Sequence, residues 1–205
     1  MKELDGRRKI GRLKFDPFLL DGGAMCKKAV VTMDVNKDES AYGCLFCLTG
    51  KEQIVADRIQ TACPDVRAIT MRQLKYRTRH KVKSREEVIV LPSYVFFRAP
   101  VDLEPLAEFP LENVIRLLCT DDGVWQLYGE DQDFVRWLFQ YEGLLGFSQA
   151  YQEGDRIRII SGPLKNLEGR ITRVDKRGKS GQVVISFHER EIPIWLGFEL
   201  VQSLK

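Results

Sequence analysis

The 205-residue chain has no apolar run approaching the ~18 residues that cross a bilayer. Its first twenty residues carry charge throughout and lack the apolar middle of a secretory signal, which points to a cytoplasmic protein with no membrane partner. Its five cysteines, Cys26, Cys44, Cys47, Cys63 and Cys119, are odd in number and scattered, so no disulfide framework is expected. Cys44-Leu45-Phe46-Cys47 spells Cys-x-x-Cys, but no second pair completes a four-ligand zinc site. On a strand, that odd offset also sends the two thiols to opposite faces. They read as core cysteines rather than metal or redox groups. No Ser-His-Asp set, no carboxylate pair in a recognisable motif and no dinucleotide loop is present. Gly50-Lys51 lacks the upstream glycine of a phosphate loop, because Leu45 stands there. His80 and His188 have no partner constellation. The expectation is a non-enzymatic protein without a cofactor. Net charge is only +3, so total charge argues for no nucleic acid, although its distribution does.

What remains is ordinary globular composition, 44% hydrophobic and 30% charged, with length for one or two domains. Residues 1–40 show no sustained period. They hold the basic cluster Arg7, Arg8, Lys9, Arg12 and Lys14, and read as a tail or extension. Met25 and Met33 are alternative natural starts. Tyr42–Leu48 is a continuous apolar run and reads as a buried strand. Lys51–Cys63 places Ile54, Val55, Ile59 and Ala62 on a helical stripe, ended by Pro64. Val66–Met71 reads as extended. A basic tract, Arg72, Lys75, Arg77, Arg79, Lys81, Lys83 and Arg85, follows, interleaved with Tyr76 and His80. Val88–Leu91 and Ser93–Arg98 read as strand broken by Pro92. Leu103–Phe109 is a short helix candidate, Val114–Cys119 a strand, Asp121-Asp122-Gly123 a turn, and Val124–Tyr128 a further strand. Asp131–Leu145 is the best helix, with Phe134, Leu138, Tyr141 and Leu145 on one face; Asp131 or Asp133 can cap its start and Gly143 or Gly146 its end. This order implies an α+β layer, helices over one sheet.

The last fifty residues are patterned differently. In Gly154–Val174, GDRIRIISGPLKNLEGRITRV, an Ile-rich strand stops at Gly162-Pro163, a glycine-bounded loop exposes Lys165, Asn166 and Glu168, and β-branched extended chemistry resumes. Ile and Val dominate from there to Ile194, so strands are expected. The segment resembles the KOW motif, the small five-stranded barrel of the NusG transcription-factor family and of several ribosomal proteins. Two further stretches resemble that family's N-terminal half. Tyr42–Glu52, YGCLFCLTGKE, is similar to its opening strand and Gly-Lys-Glu helix entry. Leu91–Phe97, LPSYVFF, is similar to its Pro-Gly-Tyr-Val-Phe-Val strand, with Ser93 where the family has glycine. The resemblance covers Tyr42–Val201. It implies an α+β fold: a NusG N-terminal-like α/β sandwich over 41–146, a linker at 147–153 and a small SH3-like β-barrel over 154–205.

That resemblance implies a monomeric elongation factor. The N-terminal domain docks on RNA polymerase through an apolar patch and the barrel recruits a second partner. The basic tract and the basic barrel loop incline the reading toward a specialised processive antiterminator of the LoaP type, recruited by a leader RNA. A housekeeping NusG coupling polymerase to ribosome or Rho, and a ribosome-associated KOW protein, are the alternatives. Tyr94 and Phe96 share one strand face and Val95 and Phe97 the other, so the sheet needs cover on both sides. The family match assigns Phe46, Tyr94 and Phe96 to the polymerase patch; ordinary core is the other reading. For nucleic acid the candidates are Arg72, Lys75, Arg77, Arg79, Lys81 and Lys83 in the tract. Within the family that region lies near upstream or non-template DNA, and Tyr76 and His80 could stack on bases. Lys165, Arg170, Arg173, Lys176, Arg177 and Lys179 are the barrel candidates, with Lys176–Gly181 a flexible basic turn. Solvated charge is the alternative for both groups.

Overall fold

The computed structural model describes residues 40–101, 112–120, 123–154, 156–167 and 170–201. The expected tail up to residue 39, the helix expected at Leu103–Phe109 and most of the Asp121–Gly123 turn lie outside them. Among the described residues the fold is mixed, with three sheets and few helices.

The central sheet is antiparallel, in the order β2-β5-β1-β6. Its strands are β1 (Ser40–Cys47), β2 (Arg67–Ile69), β5 (Tyr94–Pro100) and β6 (Val114–Leu117). Alternation divides its side chains between two cores. Leu45, Cys47, Val95, Phe97 and Ala99 face helix α1 (Glu52–Ala62) and its buried Val55, Ala56 and Ile59. Cys44, Phe96 and their neighbours face the other way. The expected stripe on α1 is therefore rotated: Ile54 is 42% exposed, and Glu52, Val55, Ala56 and Ile59 make the buried i, i+3, i+4, i+7 row.

Buried Glu52 organises the entry to α1. Its Oε1 accepts the Gly50 N–H at 3.0 Å and the Ser93 N–H at 2.7 Å. Burial opposes the charge, but donation by Ser93 and Gly50 outweighs it, and the carboxyl is held below its ordinary value. Ser93, the residue that replaces glycine, adopts φ +70 and is secured by a 2.6 Å bond between its Oγ and Thr49 Oγ1. A serine there accepts a left-handed backbone because Glu52 Oε1, Thr49 Oγ1 and the Cys47 N–H, which donates to Ser93 O at 2.9 Å, hold it.

The basic tract forms a hairpin, β3 (Arg72–Arg79) and β4 (Val82–Ile89), turning at His80 and Lys81 with φ 49 and 65. Helix α2 (Gly129–Gln140) is shorter than its apolar period suggests. Gly143, at φ +74, returns its N–H to Leu138 O, and a Cβ there would stand 2.3 Å from Thr70 O. The chain then leaves as β7 (Leu144–Leu145), parallel to β3. No acidic side chain caps α2; Asp131 lies in its first turn and is engaged elsewhere. Val124–Tyr128 forms no strand, although the Leu127 N–H donates to Tyr42 O at 2.8 Å.

The C-terminal sheet runs β10-β11-β12-β8-β9. It comprises β8 (Ser148–Glu153), β9 (Arg156–Ser161), β10 (Ile171–Asp175), β11 (Ser180–Phe187) and β12 (Arg190–Leu200). The stretch expected as a linker, 147–153, is thus mostly strand: β8 pairs parallel with β12 and antiparallel with β9. Its inward residues, Ser148 and Ala150, are fully buried but small, so the alternation is faint in the sequence. Ser148 Oγ accepts the Leu164 N–H at 2.9 Å, starting the one-turn helix α3 (Pro163–Asn166) inside the expected loop. Lys165 and Asn166 are exposed as expected, whereas Glu168 lies outside the described residues.

Candidate functional site

The second face of the central sheet carries the aromatic cluster. Phe46 and Tyr94 meet edge-on with centroids 5.4 Å apart, and Phe96 packs on Phe134 of α2 at 5.8 Å. Helix α2 covers only part of this face. The remainder is covered by Phe187, the last residue of β11 in the C-terminal sheet. Its ring lies 5.8 Å from Tyr94, 5.3 Å from Phe96 and 5.5 Å from Phe134. Phe46 and Tyr94 remain half-buried, while Phe96 and Phe187 are sealed. The structure therefore brings Phe46, Tyr94 and Phe96 together on one face, beneath a residue that sequence reasoning passed over. Phe187 could have been flagged, because it continues the buried alternation of Gly181, Val183 and Ile185 beyond the strand's own core.

Around this contact the charges are constrained. The next residue, His188, donates its N–H to Asp131 Oδ1 of α2 at 3.0 Å, and its ring sits edge-on to Phe187 at 4.5 Å. Its Nε2 is buried with no hydrogen-bond partner. Burial lowers the His188 pKa; Asp131 opposes this, while Arg116 and Arg190 add to it. The imidazole is therefore neutral at pH 7. Burial raises the Tyr94 hydroxyl pKa, with Cys44 contributing. Cys44 is raised well above its ordinary value, chiefly by burial, and Cys47 to about 11 by burial and Glu52. The two thiols lie in opposite cores, as the odd offset requires.

The hairpin presents two faces. On one lie Lys75, Arg77 and Arg79, with Arg77 Nε 2.9 Å from Glu86. On the other lie Tyr76, Lys83 and Arg85, turned toward the C-terminal sheet. Tyr76 stacks on Phe147 with centroids 4.6 Å apart and planes at 22°, so it is already occupied. Its hydroxyl donates to Glu199 Oε1, which also accepts from Arg85 Nη2 at 2.8 Å. Lys83 Nζ lies 3.8 Å above the Tyr76 ring. Arg72 pairs with Glu87 at 2.6 Å and is the least exposed cation of the tract. Lys81 and His80 form the exposed tip.

On the C-terminal sheet, Lys165, Arg170, Arg173, Lys176, Arg177 and Lys179 are all exposed. The turn expected to be flexible is pinned: Asp175 Oδ1 accepts the N–H groups of both Arg177 and Gly178 at 2.9 Å. A Cβ on Gly178 would lie 2.4 Å from Asp175 Oδ2, so close approach, not freedom, explains that glycine. The two basic groups converge at one point, where Glu199 feels both Arg85 and Lys179.

Parts of the chain are similar to known proteins. Residues 153–186 match the KOW motif. Over 75 residues the chain is 32% identical to the transcription termination/antitermination protein NusG of Thermus thermophilus, covering 34% of this chain and 41% of that protein. The chain thus spans less than half the length of that relative. A solved structure, titled for domain interaction in Thermotoga maritima NusG, is similar at 18% identity with a TM-score of 0.44, over 79% of this chain and 96% of that one. The chain carries a KOW motif and is similar, over part of its length, to a NusG transcription termination/antitermination protein.

Proposed function

We propose that this protein is a transcription elongation factor of the NusG family: a NusG N-terminal-like α/β sandwich joined to an SH3-like KOW barrel, in a cytoplasmic monomer without enzymatic activity. The N-terminal half docks on RNA polymerase through Phe46, Tyr94 and Phe96, and stabilises the elongating state by contacting it better than the paused state. The observation that carries the reading is that this aromatic face is covered only in part by its own helix α2, the remainder being covered by a strand end from the other unit. A cover that belongs to a separate sheet can be exchanged for a partner.

The finer reading is a processive antiterminator of the LoaP type. The cations Lys165, Arg170, Arg173, Lys176, Arg177 and Lys179 meet a leader RNA, and recruitment raises the local concentration of the factor at one operon. The basic tract, Arg72, Lys75, Arg77, Arg79, Lys81 and Lys83, neutralises phosphates of upstream or non-template DNA. Phe187 and polymerase compete for the same rings, so docking requires the KOW unit to move away. The test is in-vitro transcription through a terminator, with and without the native leader, alongside capture of core polymerase. Read-through that depends on the leader supports the antiterminator. Polymerase binding without leader dependence points to a housekeeping factor, and co-purification with ribosomes alone refutes the reading. Tyr94→Ala weakens polymerase capture while leaving the thermal transition in place; loss of the transition would make Tyr94 core.

A further inference from the structure

The inner face of the basic hairpin has the composition of a nucleotide-binding surface, and it is filled by parts of the same chain. An aromatic ring, Tyr76, lies flat against another ring, Phe147, at 4.6 Å. Two cations flank it, Lys83 over the ring and Arg85 beside its hydroxyl at 3.1 Å. The anion they meet is the Glu199 carboxylate, which takes hydrogen bonds from Tyr76 and Arg85. Arg85 also lies 5.5 Å from the Phe147 ring. A flat ring stacked on tyrosine, with an anion held by arginine beside it, is the pair of contacts that an unpaired nucleotide makes through its base and phosphate.

We infer that Phe147 and Glu199 stand in for a base and a phosphate, and that the inner hairpin face formed by Tyr76, Lys83 and Arg85 is a single-stranded nucleic-acid site masked by the KOW unit. The inference rests on the nucleic-acid reading of the basic tract and adds to it a particular face, an occupant and a competition. Several observations favour a nucleic acid over a permanent brace. Every member of the clasp keeps substantial exposure, with side chains of Arg85 and Glu199 56% and 41% exposed. Exposed ion pairs contribute little and exchange readily with a better anion. Of the other cations of β3, Arg72 shares the Tyr76 face by alternation and extends its positive charge, whereas Lys75, Arg77 and Arg79 lie on the opposite face of the hairpin. The clasp also joins the two units at the opposite end of the β11–β12 hairpin from Phe187. A nucleic acid displacing Glu199 therefore releases one of the two fastenings that keep the aromatic face covered.

The experiment uses the full chain and labelled oligothymidylate and oligouridylate of equal length, read by fluorescence anisotropy. Glu199→Gln keeps the shape of the clasp and removes its anion; Glu191→Gln, an exposed carboxylate on the same strand, makes the same change in net charge away from the clasp. The expected result is that Glu199→Gln tightens binding about 3- to 10-fold, the gain from removing an internal competitor held by exposed contacts, and that Glu191→Gln does not. Adding Tyr76→Ala to Glu199→Gln abolishes the gain. The oligomer that gains more identifies the strand as DNA or RNA, and either gain supports the inference. Equal tightening by both Gln variants, or a gain that survives Tyr76→Ala, overturns the mimicry and assigns the effect to net charge. Unchanged binding in Glu199→Gln with loss in Arg79→Ala overturns the masking but keeps the tract as a nucleic-acid surface. No binding by any variant overturns both.

Discussion

Replacing Phe187 with alanine separates a cover from a core. Phe187 is 1% exposed, and besides its neighbour His188 its ring partners are Tyr94, Phe96 and Phe134, which belong to the N-terminal half. A buried Phe→Ala change costs about 3–5 kcal/mol. Because those partners lie across the boundary, most of this loss falls on the closed arrangement and little on the C-terminal sheet. That sheet retains Val183, Ile185, Ile194, Leu196 and Phe198 as its own buried set. A loss of about 3 kcal/mol shifts the closed-to-open ratio by roughly a hundredfold, at 1.4 kcal/mol per factor of ten.

Two measurements follow from that number. Calorimetry of the unmodified chain gives one transition, because a single core runs through both units. Phe187→Ala splits it into two, one for each sheet. Polymerase affinity rises in the same variant, by a factor limited only by how far closed the unmodified chain is. A single transition at lower temperature, with no gain in polymerase binding, would show that Phe187 is ordinary core of one indivisible domain and refute the reasoning.

Gly43 faces Phe97 across the β1–β5 pair, and a Cβ on it would lie 2.2 Å from Phe97 Cζ. Gly43→Ala should therefore cost about 1–3 kcal/mol in denaturant unfolding, as overpacking does; an unchanged midpoint would mean that the Phe97 ring moves aside freely. Glu52→Ala strands the N–H groups of Gly50 and Ser93 and releases the left-handed Ser93, a loss of about 2–4 kcal/mol. Since the folded Glu52 pKa lies below its ordinary value, its contribution is complete above that value and disappears as pH falls through the folded one; an acid-unfolding curve unchanged in Glu52→Gln would contradict this. His188 works in the same direction by another route. Its folded pKa is depressed by burial, so the open form takes up the proton first as pH falls below about 6.5. Closure should weaken between pH 6.5 and the lower folded value, and small-angle scattering should give a larger radius at pH 5.5 than at 7.5; equal radii would rule it out.

Much of the architecture was legible where burial is two-sided and apolar. The period of Tyr42–Leu48, of Ser93–Arg98 and of Arg156–Ile160 reports strands because Val, Ile and aromatic residues fill both faces or alternate cleanly. Positions governed by small or polar groups were not legible. Ser148 and Ala150 are buried without apolar bulk, so β8 passes for a linker. Glycine geometry was legible at one position and misleading at another: Gly143 is one of the two glycines expected to end α2. Gly143 ends α2 five residues before its apolar stripe does, since the left-handed turn delivers Leu144 and Leu145 to β7 instead. Gly178 suggests flexibility but makes room for an Asp175 carboxylate that fixes the turn.

The candidate site was half legible for a related reason. Alternation along β5 says that Tyr94 and Phe96 lie opposite Val95 and Phe97, and hence that two covers are needed. One of them, α1, is announced by its own stripe. The other cannot be announced locally, because it is assembled from α2 and from residue 187, about ninety positions downstream. Phe187 continues the buried alternation of β11, but that alternation does not distinguish a residue of its own sheet's core from a lid over a distant sheet. Tyr76 poses the same problem in reverse: a tyrosine among cations reads as a base-stacking residue, and the structure finds it stacked, on Phe147. Both contacts lie between the units, where side chains are chosen to fit a surface and not to complete an element. If Phe187 and Glu199 fasten one closed state without sharing a partner, their substitutions should lower the free energy of closure additively, each multiplying the open-to-closed ratio. A double variant no more open than Phe187→Ala alone would mean that the two contacts do not hold a common closed state.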